Sequence, residues 1–215
     1  MRVMLIMGPP GAGKGTVCDR LAKKLDYRHV STGDLLREAV GKKTELGCKA
    51  EGFMRRGELV PDALIVALVE EQLDRFGTGN FLLDGFPRTL PQARLLDEGL
   101  AKRGARVDDV IMLQAPDDVV LKRLGGRRIC GSCGAGFHVT FIPPKRAGAC
   151  DRCGAALIQR PDDREEAIAR RLAVYASQIA ELEPYYRAKG VLIATDATGT
   201  PEATEQAILV ALRRP

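Results

Sequence analysis

Short apolar runs alternate along this chain with longer segments in which apolar positions recur at helical spacing. The runs at residues 3–7, 28–31, 80–84, 109–114 and 191–195 read as strands. Between and after them, residues 15–25, 61–76, 90–103, 117–123, 163–189 and 201–213 read as helices. Strands separated by helices need crossover connections, so the pattern predicts an α/β fold, a five-stranded parallel sheet flanked by helices. Pro61-Asp62 marks a helix start, because a proline early in a helix loses no hydrogen bond through its missing N–H. Glu165 and Glu166 read as first-turn charges of a long helix, favoured by its dipole.

Two segments break the alternation. Residues 32–60 hold two helical stretches where one crossover would do, and Gly52 and Gly57 are expected to interrupt the later part. Residues 127–163 hold four cysteines and three prolines among many glycines, a composition suited to turns and short strands rather than a large core. The division that follows is a core of residues 1–30, 61–126 and 164–215, a helical insert at 31–60 and a second insert at 127–163.

Composition narrows the class. With 215 residues, 45% of them hydrophobic, the chain is long enough for one large domain carrying inserts, and disorder is excluded as its general state. No apolar run approaches the roughly 18–20 residues that span a bilayer, and residues 3–7 are too short for a signal-peptide core, so a cytoplasmic protein without a membrane partner is expected. The 33 Lys and Arg against 28 Asp and Glu leave a net charge of +5, which suits nucleic acid, nucleotides and anionic lipid alike. Aromatic residues are only 5% and no basic run interleaves with them, which favours small phosphorylated ligands over long nucleic acid.

Three local patterns carry chemistry. Gly8-Pro9-Pro10-Gly11-Ala12-Gly13-Lys14-Gly15-Thr16 follows a strand and opens a helix, the setting of a phosphate-binding loop. Its glycines let backbone N–H groups turn onto phosphate oxygens, the helix N-terminus adds partial positive charge, and Lys14 adds a full one. The strict pattern has Ser or Thr directly after the lysine; here Gly15 intervenes before Thr16, which weakens the case for hydroxyl ligation of magnesium. Asp84 ends an apolar strand, so its carboxylate emerges at the sheet edge where ligands of parallel sheets bind, and it is the candidate magnesium partner, through water. Cys130-x2-Cys133 and Cys150-x2-Cys153 have the spacing of a four-thiolate zinc knuckle, a closed and therefore structural site. Cys18 and Cys48 have no partners in sequence and are read as small packed side chains, and His29 on a strand edge as structural.

The loop resembles that of the nucleoside monophosphate kinases. Further segments agree in order along nearly the whole chain: Ser31-Thr32-Gly33-Asp34-Leu35-Leu36-Arg37, Gly57-Glu58-Leu59-Val60-Pro61-Asp62, Asp84-Gly85-Phe86-Pro87-Arg88-Thr89 with Gln92, and Gly126-Arg127-Arg128. Together they are similar to adenylate kinases of the long-lid, zinc-bearing bacterial type. That resemblance implies a P-loop fold in which 31–60 binds the monophosphate and 127–163 is a zinc-bearing lid. It implies a phosphotransferase acting on ATP, AMP and ADP, a monomer with structural Zn2+ and with Mg2+ brought by ATP.

Residue by residue, the resemblance places the donor nucleotide on Gly11, Ala12, Gly13, Lys14, Gly15, Thr16, Arg123, Arg127, Gly136, Phe137 and Gly199. The acceptor falls to Thr32, Arg37, Glu58, Leu59, Val60, Gly85, Phe86, Pro87, Arg88 and Gln92. Arg160 and Arg171 serve the phosphates between them, and Lys14, Arg88, Arg127, Arg160 and Arg171 form the catalytic set. Arg123 lies four residues before Arg127, a spacing that puts both on one helix face, and is the arginine expected on the donor base. Thr32 and Gln92 are expected to read the acceptor base, Thr32 doubling as a helix N-cap. Phe137 suits a local apolar anchor as well as a nucleotide contact, and Gly199 a plain turn as well as a contact to the donor base. The competing readings are a kinase for another monophosphate or with GTP as donor, and a zinc-knuckle nucleic-acid binder with ATPase activity.

Overall fold

The computed structural model describes residues 1–56 and 58–213; Gly57 lies outside the described residues. The strands, in chain order, are β1 (Val3–Met7), β2 (Arg28–Ser31), β3 (Phe81–Asp84), β4 (Val107–Gln114), β5 (Arg127–Cys130), β6 (Gly136–His138), β7 (Leu157–Ile158) and β8 (Leu192–Asp196). The helices are α1 (Lys14–Leu25), α2 (Thr32–Gly41), α3 (Glu45–Arg56), α4 (Asp62–Phe76), α5 (Leu90–Lys102), α6 (Asp117–Gly125), α7 (Glu165–Ala188) and α8 (Pro201–Leu212). A five-stranded sheet in the order β2-β3-β1-β4-β8, parallel at every pair, forms the centre, as the alternation of runs predicts.

β1 shows why the sheet needs helices on both faces. All five of its residues are buried. Val3, Leu5 and Met7 pack with α4, α5 and α7 through Ile65, Val69, Leu96, Leu100 and Tyr186. Met4 and Ile6 pack on the other face against Val17, Cys18 and Leu21 of α1 and Ile208 of α8. Burying each such side chain contributes about 1.5–3 kcal/mol, so a strand apolar on both faces stabilises a central position and no edge. From β1 the chain goes to β2 and β3 on one side and later to β4 and β8 on the other, so the loops leaving the C-terminal ends of β1, β3 and β8 open around one crevice.

Two units ride on this sheet. Helices α2 and α3 pack on each other, and α3 runs unbroken through Gly52 to Arg56 where an interruption was expected. Residues from Arg127 onward form a small antiparallel sheet, β6-β5-β7, around Cys130, Ala135, Phe137 and Cys150. Other local expectations change. α6 continues to Gly125 and Arg127 begins β5, so Arg123 and Arg127 do not share a helix face. Ser31 is the N-cap of α2, accepting from the Asp34 N–H, while Thr32 is already helical and donates its hydroxyl to the Gly85 carbonyl at 3.1 Å. Residues 161–163 form a 3-10 turn ahead of α7, and Pro61 takes the N-cap position of α4. Cys18 is buried in the core as expected; Cys48 is exposed.

Candidate active site

The phosphate loop is shaped by its glycines. Gly8 (φ 148°) lies so close to β4 that a Cβ would sit 2.8 Å from the Leu113 carbonyl oxygen, and Gly13 (φ 90°) caps α1 in a left-handed conformation. Gly13 offers no side chain to the first N–H groups of α1, which leaves these donors for an anion. The Lys14 ammonium donates back to the Gly8 and Pro9 carbonyls at 2.6 and 2.8 Å. Burial, only partly offset by the Asp84 carboxylate, pulls the Lys14 ammonium down to about 8.

Around this loop opens a crevice of about 1140 Å3, above the roughly 300–1,000 Å3 of a single small-ligand pocket. Gly11, Ala12, Gly13, Lys14, Gly15, Thr16, Arg123, Arg127, Gly136, Phe137 and Gly199 line it. So do Arg37, Leu59, Asp84, Gly85, Pro87, Arg88, Arg160 and Arg171. The structure therefore brings seven expected cations from α1, α2, the β3–α5 loop, α6, β5, the β7–α7 connection and α7 to one space. Thr32, Val60, Phe86 and Gln92 are buried behind its wall, and exposed Glu58 pairs with Arg56 at 2.8 Å.

The walls hold the cations by their own groups. Arg88 Nε donates to the Gly85 carbonyl at 2.7 Å. Arg37 Nε donates to Asp34 at 3.2 Å. Arg123 spans from α6 to the turn after β8, donating to the carbonyls of Ala197, Thr198 and Gly199 at 2.7–3.0 Å. Gln92 is engaged at both ends, accepting from the Arg88 N–H at 2.7 Å and donating to Asp62 at 2.6 Å. The repulsion among the cations is legible in their protonation. Enclosure and then Arg171 lower the pKa of Arg88, while enclosure, Arg37 and Arg127 pull the Arg160 guanidinium down to about 10. Arg160 Nε is buried without a hydrogen-bond partner among the described residues.

Asp163, which sequence reading treated only as a helix start, is the anchor of this cluster. Its side chain is fully buried; Arg127 grips it with Nε and Nη2, Nε at 2.7 Å, and Arg171 reaches it at 3.3 Å and Asp162 at 3.0 Å. The signal was present in Arg160-Pro161-Asp162-Asp163, acids set next to a phosphate-type arginine. His138 and Phe141 were also missed as lining residues; their rings stack at 4.4 Å.

At the end of β3, Asp84 is 8% exposed and lies beside the start of α1. His29 on β2 stands between two acids, its Nδ1 2.9 Å from Asp19 and its Nε2 3.4 Å from Asp84. Burial disfavours the imidazolium, but Asp84 and then Asp19 outweigh it, so the His29 pKa is raised. In the second unit, the four cysteine sulfurs lie within 4.8 Å of one another, with Cys130–Cys153 at 3.4 Å and Cys133–Cys150 at 3.5 Å. Four thiolates about 2.3 Å from one tetrahedral ion stand at similar separations, and the N–H groups of Cys133 and Arg152 point at sulfur, so the group fits a metal ion.

A family model described as adenylate kinase matches residues 6–191. The chain belongs to the adenylate kinase family. It is 47% identical over 212 residues to the adenylate kinase of Carboxydothermus hydrogenoformans, covering 98% of this chain and 99% of that protein. It is 46% identical over 210 residues to that of Caldicellulosiruptor bescii, covering 97% and 98%. With the adenylate kinase of Streptomyces avermitilis it shares 47% identity over 216 residues, 100% of this chain and 98% of the relative. Among the described residues of this adenylate kinase family member, no helix is long and apolar enough to cross a membrane.

Proposed function

We infer that this protein catalyses reversible transfer of the terminal phosphoryl group of MgATP to AMP, giving two ADP. The observation that carries the reading is the convergence of Lys14 and six arginines on one crevice large enough for two nucleotides, on a chain of the adenylate kinase family. Phosphoryl transfer gathers negative charge with little covalent work for the protein, so positioning and charge neutralisation supply the catalysis. AMP arrives with its phosphate ionised near neutral pH and needs no general base. Arginines serve because their planar forks bind phosphate oxygens in pairs and keep their charge.

In this reading the N–H groups of Gly11, Ala12, Gly13, Gly15 and Thr16 cradle the donor phosphates, and Lys14 neutralises the transferring group. Arg123 lies on the donor base, with Gly136, Phe137 and Gly199 around it. Arg37 and Arg88 hold the AMP phosphate. Thr32, Glu58, Leu59, Val60, Gly85, Phe86, Pro87 and Gln92 form the AMP site, its base read by Thr32 and Gln92 from behind the wall. Arg127, Arg160 and Arg171 bracket the phosphates in flight, and Asp163 is a positioning residue that aims Arg127 and Arg171. Magnesium, carried by ATP, would screen the donor phosphates, and Asp84 would hold it through water. The four cysteines would hold zinc, which fixes the lid and has no open position for chemistry.

The units at 31–60 and 127–163 move over the core of 1–30, 61–126 and 164–215 and exclude water, the competing phosphoryl acceptor. The protein acts on nucleotides as a cytoplasmic monomer, with neither nucleic acid nor membrane as partner. Incubation with ADP and magnesium alone tests the reading: ATP and AMP should appear in equal amounts. Untouched ADP would overturn it and favour a nucleic-acid-binding ATPase.

A further inference from the structure

Beneath the phosphate loop lies a second group of metal-type ligands, apart from the lid cysteines. Cys18 on α1, His29 on β2 and Asp84 on β3 bring Sγ, a ring nitrogen and a carboxylate oxygen within 4.8 Å of one another. Cys18 and Asp84 are buried and His29 is half-buried. The fold dictates the meeting. β2 pairs in parallel with β3 and β3 with β1, and α1, which leaves the loop after β1, packs on both β2 and β3.

The chemistry of the three is complementary. His29 Nδ1 stands 2.9 Å from the Asp19 carboxylate and donates its proton there, so that in the neutral ring, the form a cation would bind, the Nε2 lone pair faces inward. This carboxylate–imidazole arrangement is the one that orients metal-binding histidines and raises their basicity. His29 Nε2 is buried without a hydrogen-bond partner among the described residues, although Asp84 Oδ2 lies 3.4 Å away. Two such ligands held about 2.0–2.2 Å from one tetrahedral ion stand at about that separation. One thiolate, one imidazole and one carboxylate suit a borderline-soft divalent cation of the zinc class and are poor for magnesium, which takes oxygen ligands.

We propose that Cys18, His29 and Asp84 form an inhibitory site for a zinc-class divalent cation, distinct from the lid cysteines. Coordination releases the Cys18 thiol proton to solvent and leaves one position of the tetrahedron for water. Exposed Asp19 lies at the crevice side, where the ion enters. The bound cation takes Asp84 away from magnesium and, with its two charges met by the Cys18 thiolate and the Asp84 carboxylate, cancels the negative charge that faces Lys14. The inhibition rests on the function proposed above; the binding does not.

The test uses full-length protein with its lid cysteines loaded with zinc. After equilibrium dialysis against micromolar free zinc without nucleotide, mass spectrometry should find one zinc more per chain in the wild type than in Cys18→Ala or His29→Asn. Cobalt added to zinc-loaded wild type should give a thiolate-to-cobalt charge-transfer band that is weaker in Cys18→Ala. Without added zinc, both variants should form ATP from ADP within about twofold of the wild type. With it, only the wild type should slow, by about tenfold or more, since Asp84 is then unavailable to magnesium. Equal zinc content in all three proteins, or an extra zinc that persists in Cys18→Ala, would overturn the site. Extra zinc with unchanged wild-type turnover would overturn the inhibition. Failure of every protein to convert ADP, with the zinc difference intact, would overturn the proposed function and leave the site standing.

Discussion

Lys14 is a cation placed where charge is unfavourable. With its pKa pulled down to about 8 by burial, the free protein loses this charge as pH rises through that value, whereas polyphosphate binding favours the protonated form. The specificity constant for MgATP reports groups of the free enzyme, so it should be level below pH 8 and fall about tenfold per unit above it. Initial rates across pH check this, and a Lys14→Arg variant, whose charge persists, should lack the alkaline limb. Lys14→Met should lower kcat by at least about 10²-fold with an unchanged melting curve, because a contact to transferring charge counts most in the transition state. Arg88 tests geometry instead of charge. Arg88→Lys keeps the cation but loses the paired fork, so turnover with AMP should fall while calorimetry finds ATP affinity nearly unchanged.

At the scale of elements, Glu205 and Asp163 are each one carboxylate holding two cations, with different consequences. Glu205 on α8 clamps α1 through Arg20 at 2.5 Å and Lys24 at 3.0 Å, away from the crevice. Glu205→Ala should lower stability by about 1–3 kcal/mol, seen in denaturant melts, and leave turnover in the cold unchanged. Asp163 clamps Arg127 of β5 to Arg171 of α7 inside the crevice. Asp163→Asn should destabilise by a similar amount and also reduce kcat by about tenfold, which needs only about 1.4 kcal/mol of misplacement. The strands and long helices were legible in sequence because β1, β3 and β4 are apolar runs and the helices between them keep a 3.6-residue period. The clamps were not. A buried Asp looks like a capping Asp until the fold brings arginines from 36 residues before it and 8 after it. The extension of α6 to Gly125 was hidden for a related reason: Leu124 packs on Ile168 of α7, a contact no local pattern shows.

At the scale of the whole molecule, Arg37, Arg88, Arg127, Arg160 and Arg171 repel one another across the crevice, and in the function proposed above this repulsion opposes closure until nucleotide phosphates neutralise it. A bisubstrate dinucleotide should therefore reduce the radius of gyration in solution scattering, and inorganic phosphate at the same concentration should do so less. The four-cysteine unit, with the zinc proposed for it, acts on a different quantity. The apolar cluster around it consists of little more than Cys130, Ala135, Phe137 and Cys150, too small to fold the unit on burial alone. Metal binding to the folded state only then supplies stability by linkage. Cys150→Ser removes one ligand of a closed set, so zinc content by mass spectrometry and the calorimetric midpoint should fall together. The crevice ends of the lid, Arg127 and Arg160, are held through Asp163 and the start of α7 rather than by the cysteines. Well below the lowered midpoint, ATP formation from ADP should consequently persist within about tenfold of the wild type, the loss that 1.4 kcal/mol of lid misplacement produces. Complete loss of activity in a Cys150→Ser protein that still melts cooperatively would show that zinc sets the catalytic geometry itself.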